Sequence, residues 1–337
     1  MTILAVRMQR RSFLCALASL TAGFASSSTG AAERLRLAAF MIGLPLDHPI
    51  VLARLGLLKR LMVQRGWIEG QNIRYLVRSS NSDPQTLATT ARDLVGETPD
   101  VIVAGSSTET AAILAATRAI PVLFSTASDP VGSGFVRSLE RPDGNATGFS
   151  NNEPSMAAKW VDLLREIAPA TVRVGVIYNP ASAAAGGVTY VEHLSSSAKE
   201  LGMSLVSAPV STLSEIEPAL AELAVQPGTG LFFPPDSFTF RNARAIAPLV
   251  AKYRMPTMYP YETFVEAGGL MSYTGGRDES DLVMASYIDL IFRGANVAEL
   301  PVQFSRSFEL VINEKAAMAL GLTIPLSLRV RASRILS

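Results

Sequence analysis

The side chains able to do chemistry on a small molecule gather in a few short clusters. Gly105-Ser106-Ser107-Thr108 places a glycine and three hydroxyls at the head of a segment with helical periodicity. Free amides at a helix start, together with the positive end of its dipole, suit a carboxylate or another anion. One of the same hydroxyls is expected to cap the helix in any case. Thr126-Ala127-Ser128-Asp129-Pro130 adds two more hydroxyls and a carboxylate. Asp129 suits an ammonium or hydroxyl donor, and equally the turn that Pro130 begins. Further along lie Asn179-Pro180, Asp236 and Tyr259–Phe264 (YPYETF). Asp236 and Glu262 suit an amine, and Tyr259, Tyr261 or Phe264 an apolar or aromatic group. The competing uses are ordinary packing of the aromatics between sheet and helix, and solvation of Glu262 at the surface.

The rest of the inventory excludes much. Lys plus Arg is 30 and Asp plus Glu is 29, so no basic field is available to hold a polyanion, which argues against nucleic-acid binding. Two histidines, His48 and His193, and one cysteine, Cys15, leave little for a metal site and nothing for an internal disulfide. His48, beside Asp47 and Pro49, fits a turn or cap, and His193 sits inside a predicted helix as a surface residue. There is no GxxxxGK[ST] phosphate loop and no GxSxG nucleophile elbow. Gly132-Ser133-Gly134 and Gly186-Gly187 are too short to signal dinucleotide binding. Catalysis, metal and cofactor are therefore not expected.

The elements that must position these clusters alternate between short runs of Val, Ile, Leu and Phe and helix-length amphipathic segments. Such alternation is the pattern of a parallel sheet with crossover helices. Strands are expected at Leu35–Ile42, Asn72–Val77, Val101–Ala104 and Pro121–Ser125. Helices are expected at Ile50–Arg65, Pro84–Gly96 (capped by Ser82 or Asp83) and Thr108–Arg118. A second half repeats the plan, with strands at Arg173–Tyr178, Ser204–Ala208, Leu231–Phe233 and Pro256–Tyr259. Its helices fall at Tyr190–Leu201, Leu213–Val225 and Asn242–Arg254. Gly66 and Gly202, Val101 and Leu231, and Pro121 and Pro256 keep nearly constant offsets between the halves. The joins at Asn145–Asn151 and Gly269–Tyr273 flank the second half, so the chain leaves the first lobe and returns. A helix over Ser280–Arg293, a crossing at Leu300–Phe304, a strand at Glu309–Ile312 and a helix at Glu314–Leu320 complete it. The expected fold is α/β, two Rossmann-like lobes joined by a three-crossover hinge. One lobe comprises 33–149 plus 272–302, the other 150–271 plus 303–337. In open α/β sheets ligands bind at the carboxyl ends of strands, where all the clusters above fall.

The first 32 residues read as an export signal. Arg7, Arg10 and Arg11 precede an apolar run from Phe13 to Ala25, which is shorter than the about 20 residues a membrane-spanning helix needs. Gly30-Ala31-Ala32 provides the small residues of a cleavage site. Arg10-Arg11-Ser12-Phe13-Leu14 fits a twin-arginine route as well as an ordinary secretory one. Cys15 lacks the small residue expected just before a lipidated cysteine, and is read as part of the removed segment.

Several segments resemble one known family. They are Gly66–Ile73 (GWIEGQNI), Pro99–Gly105 (PDVIVAG), Asp129–Gly134 (DPVGSG), Arg141–Gly148 (RPDGNATG), Phe264–Tyr273 (FVEAGGLMSY), Phe308–Asn313 (FELVIN) and Ala319–Ser327 (ALGLTIPLS). In this order they resemble the tryptophan/tyrosine-type substrate-binding proteins of ABC transporters, across essentially the whole chain after the signal. The resemblance implies a type I periplasmic binding protein fold and a monomer in the periplasm. It also implies capture of a small solute, an aromatic or other amino acid, for delivery to an ABC permease in the membrane. At the binding loop the sequence departs from the family: Ser107-Thr108-Glu109 stands where a Pro-Ala-Ala-like run is common. The expected ligand shell is Ser106, Ser107, Thr108, Thr126, Ser128 and Asp129 from the first lobe. Asn179, Asp236, Tyr259 and Glu262 would complete it from the second. A sensory protein that presents its ligand to a receptor is the alternative use of the same fold. A transcription regulator would need a DNA-binding segment where the signal stands.

Overall fold

The computed structural model describes residues 34–276 and 278–337; the expected export signal lies outside the described residues. From Leu35 onward the chain forms one compact unit. It opens with β1 (Arg36–Ile42), α1 (Pro49–Val63), β2 (Ile73–Ser79), α2 (Pro84–Gly96), β3 (Val101–Ala104), α3 (Ser107–Ala116), β4 (Val122–Phe124) and β5 (Ala146–Ser150). Pro49 and Pro84 start α1 and α2, where a missing amide costs nothing, and the preceding residues, His48 and Asp83, cap Ile50 and Gln85 with their side chains.

The second α/β run is α4 (Ala157–Ile167), β6 (Arg173–Tyr178), α5 (Val188–Glu200), β7 (Ser204–Pro209), α6 (Ile216–Ala224), β8 (Thr229–Phe232), α7 (Ser237–Arg241), α8 (Ala243–Lys252), β9 (Thr257–Tyr259), α9 (Glu262–Glu266) and β10 (Met271–Gly275). The tail holds α10 (Asp278–Phe292), β11 (Gln303–Phe304), β12 (Phe308–Asn313), α11 (Glu314–Ala319), α12 (Leu326–Arg331) and β13 (Arg334–Leu336).

Two sheets result, in the orders β11-β5-β4-β3-β1-β2 and β13-β12-β10-β9-β8-β6-β7. The first is parallel throughout. In the second, β12 pairs antiparallel with β10, so one join departs from the expected parallel pattern. β12 enters the second sheet straight from β11 of the first, which runs alongside β5 and ends at Phe304, with β12 beginning at Phe308. β10 lies wholly in the second sheet and β11 in the first. The expected return at 272 falls inside β10 of the second sheet, and the expected departure at 303 falls on the first residue of β11 of the first, so the crossings come after Gly275 and after Phe304. The chain passes between sheets three times, after β5, after β10 and after β11, which makes two lobes of the type I periplasmic binding protein kind.

The central strands are buried on both faces. Helices cover each sheet, and α1 packs beside α10 on the first. α4 is absent from the expected elements, although Trp160, Val161, Leu164 and Ile167 recur at helical spacing and are all buried. Trp160 is the centre of the second lobe. Its ring lies 4.9 Å from that of Phe232 and 6.0 Å from that of Tyr190, and its indole N–H donates to the Tyr273 carbonyl at 2.8 Å. Trp160→Ala is expected to cost about 3–5 kcal/mol, from lost packing and an unfilled cavity. Urea unfolding of the wild type and variant measures it; a loss below about 1 kcal/mol would contradict this placement.

Candidate functional site

A cavity of about 200 Å³ opens between the lobes, at the carboxyl ends of the strands. Its first-lobe wall includes Ser106, Ser107, Ser125, Thr126 and Ser128, and Asn151 lines it at the first crossing. From the second lobe come Ser182, Asp236, Ser237, Phe240, Arg241 and Tyr261. An apolar arm, bounded by Phe40, Ile42, Leu55, Leu58, Val103 and Met284, reaches under α1 into the first lobe.

The polar floor begins at α3. Ser106 occupies the N-cap position in extended backbone, yet no side chain caps the helix. The first-turn amides therefore have no intrahelical partner, as at any helix start. The Ser106 hydroxyl donates instead to Glu109, and Thr108 donates to the same carboxylate at 3.2 Å. Glu109 is fully buried and also receives Ser80 at 2.7 Å and Ser82 at 3.3 Å. Its carboxylate is thus turned onto the loop after β2. Ser107 accepts from the Ser128 amide at 3.0 Å, and Thr126 donates to the Gly105 carbonyl at 2.6 Å, so the loops after β3 and β4 are tied together.

The lobes touch through polar contacts. Thr108 and Ser237 hydroxyls lie 3.1 Å apart, and Ser106 and Ser237 3.4 Å. Arg241 donates to the carbonyl of Ser82 at 2.6 Å and to that of Asn81 at 3.3 Å. The Ala185 amide donates to the Ser133 hydroxyl at 3.2 Å.

The expected site residues separate into two groups. Ser106, Ser107, Thr126, Ser128 and Asp236 line the cavity. Thr108 stands next to it, engaged with Ser237. Asn179 serves the loop after β6: its side chain accepts from the Ala181 amide at 2.8 Å and donates to the Ser211 carbonyl at 3.1 Å. Asp129 is buried with φ at +45°, and one of its oxygens accepts from the Gly132 amide at 2.9 Å. Tyr259 is placed in the core rather than the cleft. Its ring stacks on Phe264 at 4.7 Å and Phe233 at 5.4 Å, and burial pushes its hydroxyl pKa far up. Glu262 pairs with Arg334 of β13, away from the cavity lining. Tyr259 ends a short, fully buried strand, whereas Tyr261 lies beyond that strand, at the N-cap position of α9, and reaches the cavity.

Asp236 is buried and accepts from the Asn179 amide and the Phe238 amide, each at 2.8 Å, and from the Ser182 hydroxyl. Burial raises its pKa, and the hydrogen bonds oppose that rise. It caps α7, and in doing so holds the loops after β6 and β8 together.

Arg54 and Asp281 are lining residues absent from the expected set. Arg54 donates through two nitrogens to Asp281 at 2.9–3.3 Å and to Ser280 at 3.2 Å. Ser280 in turn donates to the Ser125 carbonyl at 2.5 Å. The pair joins α1 to α10 beside the apolar arm. A lone arginine on a helix gives no local signal, and its partner lies far along the chain. His48 caps α1 and His193 is exposed on α5. Among the described residues no cluster of His, Cys, Asp or Glu is arranged to hold a metal ion.

Two α/β lobes on a triple crossing, with a cavity lined from both, define the class of type I periplasmic binding proteins. The sequence profile of the ABC transporter substrate binding protein family matches residues 41–336, and the chain belongs to that family. It is a family of solute-binding proteins and not of enzymes. A tyrosine-binding protein of Clostridioides difficile (strain R20291) is 26% identical over 277 residues, which are 82% of this chain and 79% of that protein. A conserved domain protein from Vibrio cholerae matches in structure with a TM-score of 0.79 at 29% identity, covering 89% of this chain and 99% of the other. The ABC domain from Streptococcus pneumonia in complex with L-Trp matches with a TM-score of 0.80 at 23% identity over the same shares.

Arg54→Ala leaves the Asp281 carboxylate, largely buried, without its counterion. We expect a loss of about 2–3 kcal/mol in urea unfolding. The double variant Arg54→Met, Asp281→Leu should recover at least half of it. Equal losses in the two would contradict a paired charge.

Proposed function

We propose that this protein is an exported receptor that captures an amino acid with an aromatic side chain between its lobes and delivers it to an ABC permease for import. The observation that carries the proposal is the division of one cavity into a polar floor and an apolar arm. The floor offers the first-turn amides of α3, which have no intrahelical partner and to which a carboxylate is suited by hydrogen bonding and by the helix dipole. The arm under α1 offers aliphatic and aromatic walls to a side chain. Ser106, Ser107, Thr126 and Ser128 face the solute from the first lobe, and Asp236, Ser237 and Tyr261 from the second. The tyrosine-binding relative and the L-Trp complex favour the aromatic class.

Closure follows from the placement of these groups on both lobes. A ligand that touches both binds the closed form better than the open one, and shifts the population by that difference. The closed surface is then the form that a permease recognises. Export places the protein in the periplasm, by the secretory or twin-arginine route, and the solute-bound protein acts as a monomer.

Thermal unfolding of protein freed of co-purified solute, against single amino acids and small organic acids, tests the solute class. A solute at 100 times its dissociation constant adds about 2.7 kcal/mol. We expect stabilisation by L-tyrosine or L-tryptophan and none by glycine. Leu55→Trp, which fills the apolar arm, should weaken aromatic binding by about tenfold or more, as overpacking costs about 1–3 kcal/mol. Stabilisation confined to a polar, non-aromatic solute would contradict the aromatic assignment.

A further inference from the structure

The hydrocarbon lining of the apolar arm is broken by one ion pair. Leu55 and Leu58 of α1 and Met284 of α10 line the arm, and so do Arg54 and Asp281, which bridge the same two helices. Asp281 is buried, whereas Arg54 keeps 30% of its side chain accessible. The guanidinium spends Nε and Nη2 on Asp281 and Ser280, and Nη1 has no hydrogen-bond partner among the described residues. On the carboxylate, Oδ1 accepts at 2.9 and 3.0 Å, while Oδ2 accepts once, at 3.3 Å. The pair therefore retains spare donors on one partner and a spare acceptor on the other. It is also fixed to the polar floor: Ser280 donates to the carbonyl of Ser125, which lines the cavity next to Thr126.

The chemistry of the pair restricts what the arm accepts. Its charges cancel, so a carboxylate or ammonium side chain entering the arm would exchange water for a neutral dipole and hydrocarbon, at a loss. A purely hydrocarbon tip would strip water from the spare donors and acceptor and return nothing. A hydroxyl carries a donor and acceptor lone pairs without net charge, so it answers both partners at once. Hydrogen bonds to charged partners are the stronger kind. An aromatic ring bearing that hydroxyl suits the aliphatic walls on either side.

We propose that Arg54 and Asp281 form a specificity subsite that receives the phenolic hydroxyl of the solute's side chain, with Arg54 Nη1 donating and Asp281 Oδ2 accepting. This rests on the aromatic-solute reading of the cleft and narrows it: tyrosine is preferred to phenylalanine, which matches the walls but not the pair. An indole N–H is a donor only and engages Asp281 alone. The bridge that holds α1 to α10 is thereby also the part of the arm that reads the solute.

Calorimetric titration compares L-tyrosine with L-phenylalanine, which lacks only the hydroxyl. In the wild type tyrosine should bind at least about tenfold more tightly, the span of a hydrogen bond to a charged group. In the double variant Arg54→Met, Asp281→Leu, which replaces the pair by hydrocarbon, that ratio should fall to one or below. A role confined to holding α1 against α10 would change stability, or both affinities together, and leave the ratio intact; that result overturns the proposal. A wild-type ratio near one overturns it as well. Should the double variant show no cooperative urea transition, Arg54→Lys answers in its place, keeping the ion pair while giving up the forked guanidinium. A reduced ratio there supports the subsite, and an undiminished one overturns it.

Binding of tryptophan with neither tyrosine nor phenylalanine leaves the aromatic reading standing and overturns the phenol subsite. If none of the three binds, the aromatic reading itself fails, and the subsite is judged on 4-methylphenol against toluene in thermal unfolding. Greater stabilisation by 4-methylphenol in the wild type, lost in the variant, supports it, and equal shifts overturn it.

Discussion

The arrangement of the cleft depends on one buried carboxylate. Glu109 stands in the first turn of α3, inside the protein, where an unanswered charge would be prohibitive. It is answered by hydroxyls from the loop after β2 and from the start of α3. Beyond these bonds, the hydroxyls of Thr108 and Ser106 meet the Ser237 hydroxyl of the second lobe at 3.1 and 3.4 Å. The acid that departs from the family pattern is therefore held behind the cleft floor, outside the cavity lining. It fixes the loops on which the cleft floor stands and extends a polar chain to the opposite lobe.

The second constraint is topological. Strands β5, β10 and β11 all end at the same side of their sheets, and each hands the chain to the other lobe within a few residues. Three short crossings keep the lobes together while leaving their facing loops free to approach. The polar contacts between lobes are few and lie on those loops: Ser237 on Thr108, Arg241 on the carbonyls of Asn81 and Ser82, and Ala185 on Ser133. Asn81 and Ser82 both have positive φ, at +50° and +48°, so the carbonyls offered to Arg241 come from a turn that non-glycine residues adopt at a cost. Contacts of this kind are modest enough for a ligand's differential binding to tip.

Much of this was legible in the amino-acid order because local rules govern it. Val101–Ala104 and Arg173–Tyr178 are short apolar runs that become central strands with the expected bounds, and Pro84–Gly96 becomes a helix capped by Asp83. The hydroxyl clusters after β3 and β4 fall at the cleft because strand ends in such sheets always face it. What local rules miss is decided by distant partners. Arg54 matters through Asp281, which lies far along the chain on α10. Tyr259 and Glu262 show the converse. Their residue types suit a ligand, but a buried strand and an arginine from the last strand claim them first.

The central claim is that a solute draws the two lobes together. Spin labels on Gln85 of α2 and Arg244 of α8, both exposed, report the gap between the lobes directly. Protein produced from Glu33 onward carries no native cysteine, so each position is labelled through a single introduced one. Electron–electron distance measurements without and with a bound aromatic amino acid should show a broad, longer distribution replaced by a narrow, shorter one. An identical distribution in both states, at a solute concentration that saturates binding, would contradict the account.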